Sequence, residues 1–84
     1  MKYAIVIEPT STGYCSYVLD VDGVVATGAT REECRRNMEE ALEFHFEGMR
    51  QDGNTIPEPE AMVDFVEPFG KLTAAFRGGV KERK

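Results

Sequence analysis

Asp20 and Asp22, beside Gly23 in the 84-residue chain, raise the question of a divalent-metal site, with Glu8 and Asp64 as the other acidic candidates to weigh. Carboxylates supplied by different strands and a helix can cage such a cation and activate water for phosphodiester hydrolysis. The stretch "LDVDG", residues 19–23, has a second reading. Asp beside Gly is turn chemistry, because the short carboxylate bonds nearby backbone and glycine accepts a left-handed conformation. A two-metal site needs its carboxylates to converge on one spot about 4 Å across. Asp20 and Asp22 lie at a hairpin end and Glu8 precedes Pro9, so the turn is the favoured reading. No catalytic residue, metal or cofactor is expected. A metal-dependent nuclease built on Glu8 and Asp64 is the weakest of three function classes.

The other reactive side chains are sparse. Cys15 and Cys34 have neither metal-ligand spacing nor a CxxC arrangement. They read as small apolar side chains in a reducing cytoplasm. His45 is the one histidine and falls within an apolar helical stripe. That favours a packed boundary residue over a catalyst, with a pH-sensitive interface as the alternative.

These residues must be positioned by a small framework. "KYAIVIE" puts Tyr3, Ile5 and Ile7 on one face and Ala4 and Val6 on the other, which suits a central strand. "YCSYVLD" is a second strand, and "DVDG" turns the chain into a third, "VVATG", giving an antiparallel meander. Thr30 caps a helix, with Glu33 three residues on. Steps of about 100° per residue gather Cys34, Met38, Ala41, Leu42, His45, Phe46 and Met49 on one face. Gly53 ends the helix near residue 51 or 52, and "NTIPEPE" is an extended loop. "AMVDFVE", residues 61–67, is expected as a fourth strand, and "KLTAAFR" has room for a short helix. The expected fold is α+β, β-β-β-α-β. Strand 4 runs parallel to strand 1 after a right-handed crossover, in sheet order 3-2-1-4, and one helix covers one face.

Length allows one domain, placed at residues 1–67, with a short tail at 68–84. Net charge is −5, unevenly distributed. Residues 1–67 carry 14 acidic and 5 basic side chains, net −9, and the tail is net +4. An acidic body repels nucleic acid and attracts a basic partner. No apolar run approaches the roughly 20 residues of a membrane helix, and the N-terminus reads as a strand rather than a signal peptide. On the outer helix face Glu39, Glu43 and Glu47 repeat at i, i+4 beside Glu40, relieved in part by Arg36 and Arg50. Such a row is either a solvated face or an acidic ridge kept for a basic partner. Phe44, away from the apolar stripe, favours a contact, which makes Glu39, Glu40, Glu43, Phe44 and Glu47 the partner-binding candidates.

The span "GATREECRRNMEEALEFHFEGMRQDGNTIPEP" resembles the HicB antitoxin family. The matching positions are Gly28, Thr30, Glu32, Glu33, Asn37, Glu40, Ala41, Gly53, Pro57 and Pro59, and the likeness covers roughly residues 3 to 67. The chain departs from the family pattern at Leu19-Asp20-Val21-Asp22-Gly23, at Val24 and at Cys34. The resemblance implies a partial RNase H fold and a non-enzymatic antitoxin. Its partner would be a HicA-type mRNA interferase, with a double-stranded-RNA-binding-like fold and a catalytic histidine, whose active site and RNA surface it covers. Many members add a C-terminal DNA-binding module. Only about 17 residues follow strand 4 here, so sequence-specific DNA binding is not expected. The remaining class is an orphan homo-oligomeric regulatory or scaffolding domain. With one helix and an apolar sheet, a homodimer or dimer of dimers is expected, using the open sheet face or an edge strand. Tyr3, Ile5, Ile7, Phe65 and Val66 are the interface candidates.

Overall fold

The structure, a computed structural model, describes residues 1–68. Strands β1 (Ile5–Pro9), β2 (Tyr14–Val18) and β3 (Val25–Gly28) precede one helix, α1 (Arg31–Gln51). The sheet is antiparallel in the order β1-β2-β3, with Ile7 opposite Ser16 and Ser16 opposite Ala26. The first hairpin closes with the Thr10 N–H donating to the Gly13 carbonyl at 2.8 Å, while Thr10 Oγ1 accepts from the Gly13 N–H. The second turns through Gly23, whose φ of +84° is left-handed backbone that suits glycine.

Alternation along the strands decides which face is buried. Ile5, Ser16, Val18 and Ala26 point towards α1, and Val18 and Ala26 join Val21, Val24, Met38 and Phe46 in the core. Tyr3, Ile5, Ala41, Leu42, Met49 and Ile56 pack around it half-buried, with the Tyr3 and Phe46 rings 5.2 Å apart. The other sheet face carries Ala4, Val6, Cys15, Tyr17 and Val25 without a covering layer among the described residues.

Both ends of α1 are closed by local chemistry. Thr30 Oγ1 accepts from the Glu33 N–H at 3.0 Å, and the Glu33 carboxylate reaches back to the Ala29 N–H, one residue before the cap. At the other end Gly53 has φ +76° and donates to the Arg50 carbonyl, while Asn54 donates to that of Met49. This pair of bonds is the Schellman closure. The apolar stripe falls where the 3.6-residue period places it, with Cys34, Met38 and Phe46 buried and His45 half-buried at its margin. Asn37 ties the helix to β3 through its Nδ2, which donates to the Thr27 carbonyl at 2.8 Å.

Two expectations change. Among the described residues strand 1 is an edge where a central strand was expected, and Pro9 within it is the first sign, since proline within sheets is confined to edges and ends. Among the described residues 61–67 do not join the sheet, so the order 3-2-1-4 reduces to 3-2-1. The reason lies just upstream. The Tyr3 hydroxyl donates to the Pro57 carbonyl, and Asp20 Oδ2 accepts from the backbone N–H groups of Glu60 and Ala61, each at 3.0 Å. These bonds lead the chain across the end of β1 towards the end of β2, and away from the open edge. The expected short helix at residues 71–77 and nearly all of the tail lie outside the described residues.

Candidate functional site

The acidic side chains do not assemble into a metal cage. Glu8 sits opposite Cys15 near the hairpin, whereas Asp20 lies just past Leu19, whose N–H meets the Ala4 carbonyl. Ala4 and Glu8 are about 13 Å apart along an extended strand, too far for one ion to bridge Glu8 and Asp20. Asp22 is exposed in its turn, and Asp64 lies on the outlying 61–67 stretch, where its own carboxylate accepts from the Phe65 N–H. Among the described residues no group of three or more His, Cys, Asp or Glu has metal-binding geometry. Asp20 has a different task. It clamps a segment 40 residues away, which turn chemistry alone does not disclose.

Cys15 and Cys34 are free thiols. Cys34 is fully buried, its Sγ 3.7 Å from the Ala26 carbonyl, and Cys15 is half-buried on the open sheet face. His45 lies beside Phe46, ring centroids 6.2 Å apart, and among the described residues neither thiol nor carboxylate pairs with it.

What remains is the exposed acidic face of the helix. The outer side of α1 presents Glu39, Glu40, Glu43, Phe44 and Glu47, all exposed. Arg35 pairs with Glu39 at 2.9 Å and Arg50 with Glu47 at 2.7 Å, so the relief comes from Arg35 where Arg36 was expected. Both pairs are solvent-exposed and each is worth only about 0.3–0.5 kcal/mol. Glu40 and Glu43 have no ion pair among the described residues, which leaves their charge available. Phe44 is 82% exposed and lies on the flank of α1 next to Val25, itself 66% exposed on β3. An acidic row with an exposed aromatic side chain beside it is chemically suited to a basic surface.

A second surface was not legible in the sequence. Along the open side of β1 a groove runs between the strand and α1, lined by Tyr3, Ile5, Met38, Leu42, Phe46 and Ile56 and also by Glu39 and Glu43 of the acidic row. Tyr3 and Ile5 therefore turn their side chains to the helix side, and Ile7, on the same face, lines a shallow hollow with Tyr14 and Thr30. None of the three lies on the open sheet face. Phe65 and Val66 are 87% and 89% exposed. The signal for the groove was the apolar character of both faces of strand 1, but its openness depends on where residues 61–67 go.

Comparison with known proteins places this arrangement. The chain is 36% identical over 66 residues to an uncharacterized 14.9 kDa protein of the rep-hol intergenic region of Haemophilus phage HP1 (strain HP1c1). That alignment takes in 79% of this chain and spans half the length of the phage protein. A chain of the solved HicA3 and HicB3 toxin-antitoxin complex superposes with a TM-score of 0.63 at 33% identity, over 70% of each chain. The family model for the HicB-like antitoxin of bacterial toxin-antitoxin systems matches residues 3–71, the hairpins, the helix and the outlying stretch together. With most of its length matched, the chain belongs to the HicB-like antitoxin family.

Proposed function

We propose that this chain is a non-enzymatic antitoxin that binds a HicA-type mRNA-cleaving toxin in the cytoplasm and covers its active site and RNA-binding surface. The likeness to a chain of a toxin-antitoxin complex supports the partner class. The observation that carries the reading is the exposed face of α1, where Glu40 and Glu43 stand without ion pairs among the described residues, close to an exposed Phe44. A surface that holds RNA phosphates is basic, and an acidic ridge competes for it by direct charge complementarity. Phe44 supplies the apolar anchor that charge alone lacks.

A basic protein encoded by a neighbouring reading frame is expected, which should co-purify with this chain and whose RNA cleavage should fall as the two approach equimolar amounts. Reversing Glu40 and Glu43 to Lys should weaken the complex at least tenfold, a loss of about 1.4 kcal/mol or more, and Phe44→Ala by a similar factor. An unchanged affinity in these variants would remove the ridge from the interface. Absence of any complex with the wild-type chain would sink the antitoxin reading.

A second reading is an orphan homo-oligomeric domain of regulatory or scaffolding type. It is favoured by the uncovered apolar sheet face and by the exposed Phe65 and Val66. Self-association as a homodimer or a dimer of dimers belongs to both readings, and only toxin binding separates them.

A further inference from the structure

Two incomplete surfaces of the same chain fit one another. The first is the outer edge of β1. The Leu19 N–H bonds the Ala4 carbonyl, and the Thr10 N–H bonds that of Gly13, so the even-numbered residues of this strand exchange bonds with β2. In an antiparallel ladder the bonded pairs alternate, so Ile5 and Ile7 direct their N–H and C=O groups outwards. Among the described residues these four backbone groups have no strand partner. Beside them lies the groove between β1 and α1, floored by Met38, Leu42 and Phe46.

The second surface is the arm formed by residues 62–67, "MVDFVE". Its period-two pattern puts Val63 and Phe65 on one side and Met62, Asp64 and Val66 on the other. Met62, Phe65 and Val66 are each nearly nine-tenths exposed. That is an unusual load of apolar surface to leave in water. The Asp20 clamp on Glu60 and Ala61 launches the arm from the β2 side of the body. Between Ala61 and Glu67 there is no Gly, Pro or Asn to turn it back onto its own β1.

We propose that the arm of one copy adds to the open edge of β1 in a second copy, reciprocally, with Val63 and Phe65 seated in the groove between β1 and α1. Strand addition supplies the backbone partners that Ile5 and Ile7 lack among the described residues, and the alternate side chains meet the apolar floor of the groove. Because each copy carries both the arm and the edge, a two-fold arrangement satisfies both sets at once and closes. The sheet of each copy then has the order 3-2-1-4, with the fourth strand supplied by its partner. A toxin seated on the same edge would leave the arm uncovered, and this favours a second copy as the occupant. The proposal rests on the self-association stated above and adds its mode.

Sedimentation and amide hydrogen exchange on the full chain test it together. The wild type should sediment at twice 9.4 kDa at micromolar concentration. Its Ile5 and Ile7 amides should be protected along with that of Val6. The double variant Val63→Asp/Phe65→Asp alters side chains outside the folded body. It should become monomeric, with Ile5 and Ile7 exchanging on the order of a hundredfold faster while Val6 and Tyr17 stay protected. Continued protection of Val6 and Tyr17 shows that the body remains folded. A wild-type monomer with Ile5 and Ile7 protected means that the arm folds back on its own chain, and overturns the exchange. A dimer that survives the double variant also overturns it, but leaves self-association standing. A monomer with unprotected Ile5 and Ile7 removes both.

Discussion

Asp20 shows how much one side chain can organise. Its Oδ2 accepts from two successive N–H groups, those of Glu60 and Ala61, and so sets the direction in which the chain leaves the body. Hydrogen bonds to a charged acceptor contribute roughly 1.5–3 kcal/mol when shielded. Asp20 is only half-buried, so a value near 1 kcal/mol is expected here. Asp20→Ala should lower the melting temperature by about 4–8 °C for a domain of this size. It should also speed amide exchange at Glu60 and Ala61, leaving that of the helix interior unchanged. Asp20→Asn, which keeps the accepting oxygen, should restore most of the protection. If Glu60 and Ala61 exchange equally fast in all three proteins, the clamp has no energetic weight. The contact joins residues 40 apart, so nothing in "LDVDG" marks it.

For the elements, the junction between β3 and α1 is a close one. A Cβ at Gly28 would lie 2.5 Å from the Cys34 nitrogen and 2.8 Å from its Cα, backbone atoms that cannot step aside. The helix thus begins directly against the strand, and Cys34 is packed to full burial behind it. Overpacking of this kind costs about 1–3 kcal/mol. Gly28→Ala should therefore lose that much stability in urea unfolding. Gly48, in the exposed part of α1, meets nothing within 4 Å of an added Cβ. Gly48→Ala should do the opposite, gaining up to about 1 kcal/mol from helix propensity. Two losses, or two gains, would mean that the close approach at Gly28 is not the controlling contact. The "GAT" signal before the helix was visible in the sequence as a cap, but the steric demand on its glycine was not.

At the scale of the whole molecule, charge and unfilled apolar surface point in different directions. The acidic body, net −9 over residues 1–67, acts at a distance, whereas the groove and the arm act only on contact. Association with a basic toxin should thus be accelerated by charge and screened by salt. Between 50 and 500 mM salt the association rate should fall by roughly tenfold or more, while dissociation changes little. Stopped-flow mixing at several salt concentrations would measure this. A salt-independent association rate would assign the binding to the apolar surfaces instead. Self-association through the arm should instead be favoured by salt, because hydrophobic contacts are not weakened by screening and the repulsion between two acidic bodies is.

The sequence by itself determined the three hairpin-linked strands, both ends of the helix and the stripe that faces the sheet. Each of these rests on interactions within a few residues: a cap at Thr30, a left-handed glycine at Gly53, and a period of 2 or 3.6. Those forces act the same way wherever the rest of the chain lies. Only the tertiary structure decided that β1 is an edge, that its Tyr3–Ile5 side is the one facing the helix, and that residues 61–67 leave the sheet. Both faces of strand 1 are apolar, so periodicity could not say which one α1 would cover. Whether the fourth segment pairs depends on competition between the β1 edge and the bonds that Tyr3 and Asp20 make with Pro57, Glu60 and Ala61. Competition between partners 40 to 54 residues apart is a property of the folded chain, and no local pattern encodes its outcome.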